Sequence, residues 1–181
     1  SKGVITSDAI RFGGGMGNIE RGGKISGLPR FAEAARYSAH WYGAPKELVS
    51  INEGTHDYND DINVRSLMEN WLAGGSIYVP NRKGLCVPFE LSLAMHSDAG
   101  YKKDGSNYGT LGICTTDYKG NLWLNSGLSR SVSKDFATQM LDQVCNDLSS
   151  TYPIAWPNRT VWDKNYNECR RPEVPSAIIE T

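Results

Sequence analysis

Pro88-Phe89-Glu90-Leu91-Ser92-Leu93-Ala94-Met95-His96-Ser97-Asp98-Ala99-Gly100 is the stretch whose reading decides the fold. Phe89, Leu91, Leu93 and Met95 alternate with Glu90, Ser92, Ala94 and His96, and a period of two describes a strand with one strongly apolar face. The run stops at small and polar residues, where His96, Ser97 and Asp98 set an imidazole, a hydroxyl and a carboxylate at the entrance to a glycine turn. In an open α/β sheet that position is the C-terminal edge, where ligands bind. His96 is therefore the first candidate for chemistry. The alternative is a histidine that caps the strand and bonds a loop carbonyl.

Downstream of this strand, residues 102–107 are polar and could wall a cleft, and residues 110–116 read as a second strand. Residues 117–127 hold turn formers and one aromatic, Trp123, which suits a surface excursion or short hairpin. A long helix starts at Ser129, because Val132, Phe136, Met140 and Val144 recur at helical spacing, with Leu141, Cys145 and Leu148 widening the stripe. Residues 162–171 read as irregular and polar, and residues 174–181 as a final apolar strand ending in Glu180.

Upstream, residues 4–12 read as a short strand that runs into the glycine-rich 13–18. The Walker lysine is missing there, so a connection is favoured over a phosphate loop. A helix is expected from Pro29 to just before Gly43, its stripe formed by Phe31, Ala34, Ala35, Ser38, Trp41 and Tyr42, with His40 structural. Residues 46–52 suit an edge strand. The acidic 53–61 stretch lacks the order of a calcium loop. Asp60 or Asp61 would cap the next helix, leaving His56 with Asp57 as a secondary candidate site. That helix turns Ile62, Leu67, Met68, Trp71 and Leu72 inward and stops at Gly74-Gly75, before a loop over 76–84 that leads to a central strand. The elements together predict an α/β domain with a mostly parallel sheet flanked by helices.

With 181 residues the chain can bury one domain core. A net charge of -1 gives no broad electrostatic footprint for nucleic acid. No apolar run approaches the ~20 residues needed to span a bilayer, so no transmembrane segment is expected. The opening Ser1-Lys2-Gly3 has neither an initiator Met nor an apolar h-region, so a mature or excised piece is expected. Cys86, Cys114, Cys145 and Cys169 lack the close pairing of a zinc ribbon and read as buried small hydrophobes, with disulfides the alternative in an exported protein.

Two apolar strands thus end in an ionisable group, one in His96 and the other in Glu180. If they are parallel neighbours, both groups emerge at one rim. A metal-bound imidazole beside a free carboxylate is what a zinc hydrolase requires, the metal acidifying a water and the carboxylate taking its proton. The bland alternative for Glu180 is an unremarkable charge near a terminus.

The order apolar strand, His96-Ser97-Asp98-Ala99-Gly100, long helix, then Pro175-Ser176-Ala177-Ile178-Ile179-Glu180-Thr181 resembles the C-terminal half of the zinc-dependent N-acetylmuramoyl-L-alanine amidases. It is most similar to an amidase-like domain found in exported bacterial proteins labelled xanthan lyase, where a golvesin-type β domain interrupts it. Residues 1–12 would then end the insert, and 13–181 would form a partial three-layer α/β/α domain. The glycine run 13–18 and the 60–66 stretch containing Arg65 share in this resemblance. It implies zinc as cofactor, His96 as a ligand and Glu180 as the catalytic carboxylate. Ser97, Asp98, Arg65 and Arg170 would contact substrate or orient His96. It further implies a peptidoglycan or glycan substrate and a periplasmic, cell-surface or extracellular location.

One departure is plain: the family's other two ligands, a His after a Pro-Gly turn and a Glu on the following helix, have no counterpart here. They would come from an upstream segment or another chain, or be absent altogether, since one ligand is too few for a catalytic zinc. The alternatives to an amidase are a non-catalytic carbohydrate-binding module, for which the five tryptophans and nine tyrosines would supply stacking surfaces, and a polysaccharide lyase.

Overall fold

The computed structural model describes residues 34–97, 100 and 102–181, with Trp41 described by its backbone alone. Two compact units divide the chain, Ser1–Val64 and Arg65–Thr181. The expected strand at 4–12, the glycine run and the boundary at residue 12 lie outside the described residues.

In the first unit, helix α1 (Ala35–Trp41) begins after an extended Ala34, and the expected start at Pro29 lies outside the described residues. Its buried face is not the apolar stripe: Tyr42 is 68% exposed, whereas Arg36 is 1% exposed. Burying a guanidinium requires that its donors be met. Arg36 Nη1 lies 2.6 Å from Asp57 Oδ1, Nη2 lies 2.9 Å from Asp60 Oδ2, and Nε donates to the Val49 carbonyl. Residues 46–52 do not form the expected strand. Lys46–Val49 is a short helix, α2, preceded by Pro45, and it turns Leu48 and Val49 inward. Short apolar runs do not distinguish the two periods, and a Pro just before the first turn favours the helix.

Helix α3 (Asp57–Ala73) runs across the division between the units and starts before Asp60 and Asp61. Neither residue caps it. Asp61 Oδ1 accepts the Arg36 amide at 2.8 Å and Asp60 Oδ1 accepts the Asn52 amide at 2.7 Å. His56 Nδ1 accepts the Asn59 amide at 3.4 Å at the helix start, so His56 and Asp57 both have structural duties. The helix ends at Gly74 (φ 136°) and Gly75 (φ 93°), conformations that glycine adopts without a Cβ penalty.

The second unit carries a mixed, mostly parallel sheet of β1 (Ser92–His96), β2 (Thr110–Cys114), β3 (Asn158–Asp163) and β4 (Ser176–Glu180), in the order β1-β4-β2-β3. β1 pairs parallel with β4 and β2 parallel with β3, while β2 and β4 are antiparallel. Helix α4 (Ser131–Thr151) covers one face, packing Ala137, Leu141 and Cys145 on Cys114, Ala177 and Ile179. Helix α5 (Asn167–Arg170) lies on the other face, where Cys169 meets Leu111, Ile113 and Ile178. Each such Leu or Ile contributes about 1.5–3 kcal/mol on leaving water, which makes β4 the best-anchored strand.

β3 and α5 occupy most of the stretch read as irregular. Along β3 only Val161 packs into the core and the strand lies at an edge, so its polar sequence carries no alternation to detect. β1 is an edge strand, not a central one. Leu93 and Met95 pair with Ala177 and Ile179, on the α4 side of the sheet, yet α4 packs over β2, β3 and β4 and leaves them 41% and 59% exposed. Cys114, Cys145 and Cys169 are buried free thiols, and Cys86 is free and exposed. Burial pushes the Cys114 thiol up to about 11, so it stays protonated at neutral pH. No described helix is long and apolar enough to cross a membrane.

Candidate active site

The parallel register of β1 and β4 sets His96 directly beside Glu180. Ser92, Ala94 and His96 share one face of β1 because side chains alternate, and Ile178 and Glu180 share the matching face of β4. Ala94 and Ile178 pack beneath, on the α5 side, and the Thr181 amide donates to the His96 carbonyl at 3.1 Å. That bond carries the ladder one step past both side chains and fixes their Cα positions.

His96 Nδ1 lies 3.8 Å from Glu180 Oε1, and Nε2 lies 3.2 Å from Glu168 Oε2, with side-chain exposures of 23%, 15% and 17% for His96, Glu180 and Glu168. The first separation is longer than a hydrogen bond and short enough for one water to bridge the two groups. Arg65 Nη1 holds the same Glu168 oxygen at 3.1 Å. The imidazole is thus flanked by two carboxylates, one of them pinned by a guanidinium. Such a flank fixes the ring plane.

One turn along α3 from Arg65, Glu69 Oε2 accepts the Ser92 hydroxyl at 2.8 Å. Burial pushes the Glu69 carboxyl up to about 7; the Ser92 bond opposes that rise and the charge of Glu168 adds to it. Ser66 Oγ donates to the Asn167 carbonyl and Asn70 Nδ2 to the Arg171 carbonyl, so a polar stripe of α3 docks on α5 and holds Glu168 toward His96. Neither Glu69 nor Glu168 was singled out in the sequence. The signal was that stripe, Arg65, Ser66, Glu69 and Asn70, which recurs at helical spacing and is masked by apolar Leu67 and Met68.

Of the other candidates, Ser97 is exposed immediately after β1, and Asp98 lies outside the described residues. Arg170 is placed elsewhere. Its Nη1 donates to the Asn165 carbonyl at 2.6 Å and its guanidinium lies 5.6 Å from the Tyr118 ring. Asn165 follows Lys164, whose amide bonds Cys114 at the far end of β2, whereas Glu180 opposes Leu111 near its start.

The described residues do not by themselves fit a zinc ion. Glu168 and Glu180 face opposite nitrogens of one imidazole, so the three side chains do not converge on a point. Among the described residues no group of three His, Cys, Asp or Glu side chains could hold a metal. What remains is an imidazole and two carboxylates, with a third, more basic carboxyl behind them: the parts of an acid–base site. No family model, curated protein or solved structure matches the chain.

Proposed function

We propose that this chain is the C-terminal portion of an amide hydrolase of the N-acetylmuramoyl-L-alanine amidase type, acting on peptidoglycan-like material outside the cytoplasm. The observation that carries the reading is the juxtaposition of His96 and Glu180, side by side at the ends of two parallel strands. In this reading Glu180 takes the proton from the attacking water and returns it to the departing amine, which completes the proton balance of hydrolysis. His96, oriented by Glu168 and Arg65, faces the same water. The zinc implied by the resemblance would draw its remaining ligands from outside the described residues, on an upstream segment or another chain.

The test uses the whole gene product, including whatever precedes Ser1, with zinc supplied. Release of stem peptide from purified peptidoglycan is expected, falling by at least about 100-fold in Glu180→Gln, the range of a lost acid–base group. A complete protein that binds no zinc and cleaves no amide refutes the reading. Exposed Trp123 and Trp162, at 58% and 42%, favour a second reading, a glycan-binding module without catalysis. Affinity for glycan that survives chelation and His96→Ala, with no cleavage by the wild type, would select it.

A further inference from the structure

The sheet edge opposite Glu180 carries a group of cations that the His96–Glu180 pair does not use. β2 and β3 are parallel neighbours joined through α4, and in such a unit the C-terminal end of the first strand and the start of the helix border one space. The Ser176 amide donates to Ser133 Oγ, and β4 runs antiparallel to β2, so α4 starts beside the end of β2. Arg130 stands at that start and is 3% exposed. Its Nε and Nη1 are buried with no hydrogen-bond partner among the described residues. A guanidinium so placed is stabilised only when an acceptor meets its donors.

Its surroundings add cations, not acceptors. Arg130 and Arg171 both act electrostatically on the Tyr78 hydroxyl, and the Arg171 guanidinium lies 5.3 Å from the Tyr78 ring. Arg170 lies 5.6 Å from the Tyr118 ring, and its charge adds to burial in pulling Arg171 below its ordinary pKa. Arg171 Nη1 and Arg170 Nε are likewise buried donors without a partner. Glu173 is the one carboxylate within electrostatic reach of Arg130, but its Oε1 is itself unpartnered and no ion pair joins the two among the described residues. Asp117, beside Tyr118, accepts the Gly120 amide in its own turn. Three guanidiniums against one carboxylate, largely withdrawn from water, repel one another unless an anion joins them.

We propose that Arg130 and Arg171, with Arg170 at the rim, form a binding site for a phosphate group, carried as free phosphate or on a small phosphomonoester. The guanidinium fork matches phosphate oxygens, and a charge near -2 offsets two arginines at once, which a carboxylate does not. The positive end of the α4 dipole favours the same ligand. Tyr78, Tyr118 and Arg171 are only partly buried, so a small anion approaches Arg130 from their side. This site is separate from the His96–Glu180 pair and does not rest on the amidase reading.

The test titrates the full chain with inorganic phosphate, phenyl phosphate and acetate at matched ionic strength, by calorimetry and by NMR of the arginine Nε–H groups. The wild type should bind phosphate saturably and acetate far more weakly, with shifts at Arg130 and Arg171. Tighter binding of phenyl phosphate identifies the monoester as the source, tighter binding of phosphate the free ion, and either supports the site. Arg130→Gln and Arg171→Gln should each weaken phosphate by about tenfold or more, the range of a charge-assisted hydrogen bond. Arg130→Lys should recover only part of that loss.

A thermal readout separates a ligand-binding arginine from a structural one. In phosphate-free buffer Arg130→Met should have a Tm no lower than the wild type, since it removes an unmet buried charge. With saturating phosphate the order should reverse, because only the wild type gains from the ligand. The proposal is overturned if phosphate does not bind saturably, if acetate binds as tightly, if a folded Arg130→Gln keeps full affinity, or if the shifts map away from Arg130 and Arg171. It is equally overturned if Arg130→Met lowers Tm by the same amount in both buffers, the result expected of an arginine that serves only the fold.

Discussion

Replacing Glu69 by Gln removes one titrating proton and keeps the oxygen that accepts the Ser92 hydroxyl. The native carboxyl titrates at about 7 against a reference value of 4.5, a difference of roughly 2.5 in pKa at about 1.36 kcal/mol each, or about 3 kcal/mol. The sign follows from proton affinity: the folded state holds this proton more tightly than the unfolded chain does. Its contribution to stability is complete below the unfolded value of 4.5, declines as pH rises, and is lost above the folded value of about 7. Urea unfolding at about pH 5 and about pH 8 reads the effect, with the other titrating groups cancelling between wild type and variant. The wild type should lose on the order of 2–3 kcal/mol more than Glu69→Gln over that interval. Equal losses in the two proteins would show that Glu69 is solvated, and the cause assigned to its high pKa would be wrong.

Truncating Leu141, 1% exposed against Ile179 and Cys145, should cost about 2–5 kcal/mol in urea unfolding, because β2 and β4 cannot close the cavity left under α4. Arg36→Met should destabilise the first unit by about 3–5 kcal/mol by leaving the fully buried Asp60 without its counter-charge, and Arg36→Met with Asp60→Asn should recover much of that loss; amide hydrogen exchange of α1 and α2 reads both.

What the sequence disclosed depended on whether burial left a period. α4 was legible because helical spacing survives along its whole length, although its deepest residues, Ala137, Leu141 and Cys145, lie one position beyond the Val132–Phe136–Met140 row. β4 was legible because it is buried on both faces, and β1 because it alternates, though alternation did not say that its apolar side would lie at an exposed edge. β3 was invisible because an edge strand with one core residue looks like a loop. α1 misled because its buried side is an arginine, held by carboxylates from elsewhere in the chain, and no local pattern encodes such a partnership. The same limit hid Glu168 and Glu69. Pairing across about 100 residues of sequence separation is set by topology, and only the residues at strand ends, His96 and Glu180, announce themselves through the strands that carry them.

A double-mutant cycle tests most directly whether His96 and Glu180 act as one site. Amide cleavage by the whole gene product is compared for the wild type, His96→Ala, Glu180→Gln and the pair of substitutions together. Groups 3.8 Å apart that act on one water should fail together, so the double variant should be no slower than the worse single variant. Losses that multiply, or cleavage that persists in either single variant, would contradict a shared site.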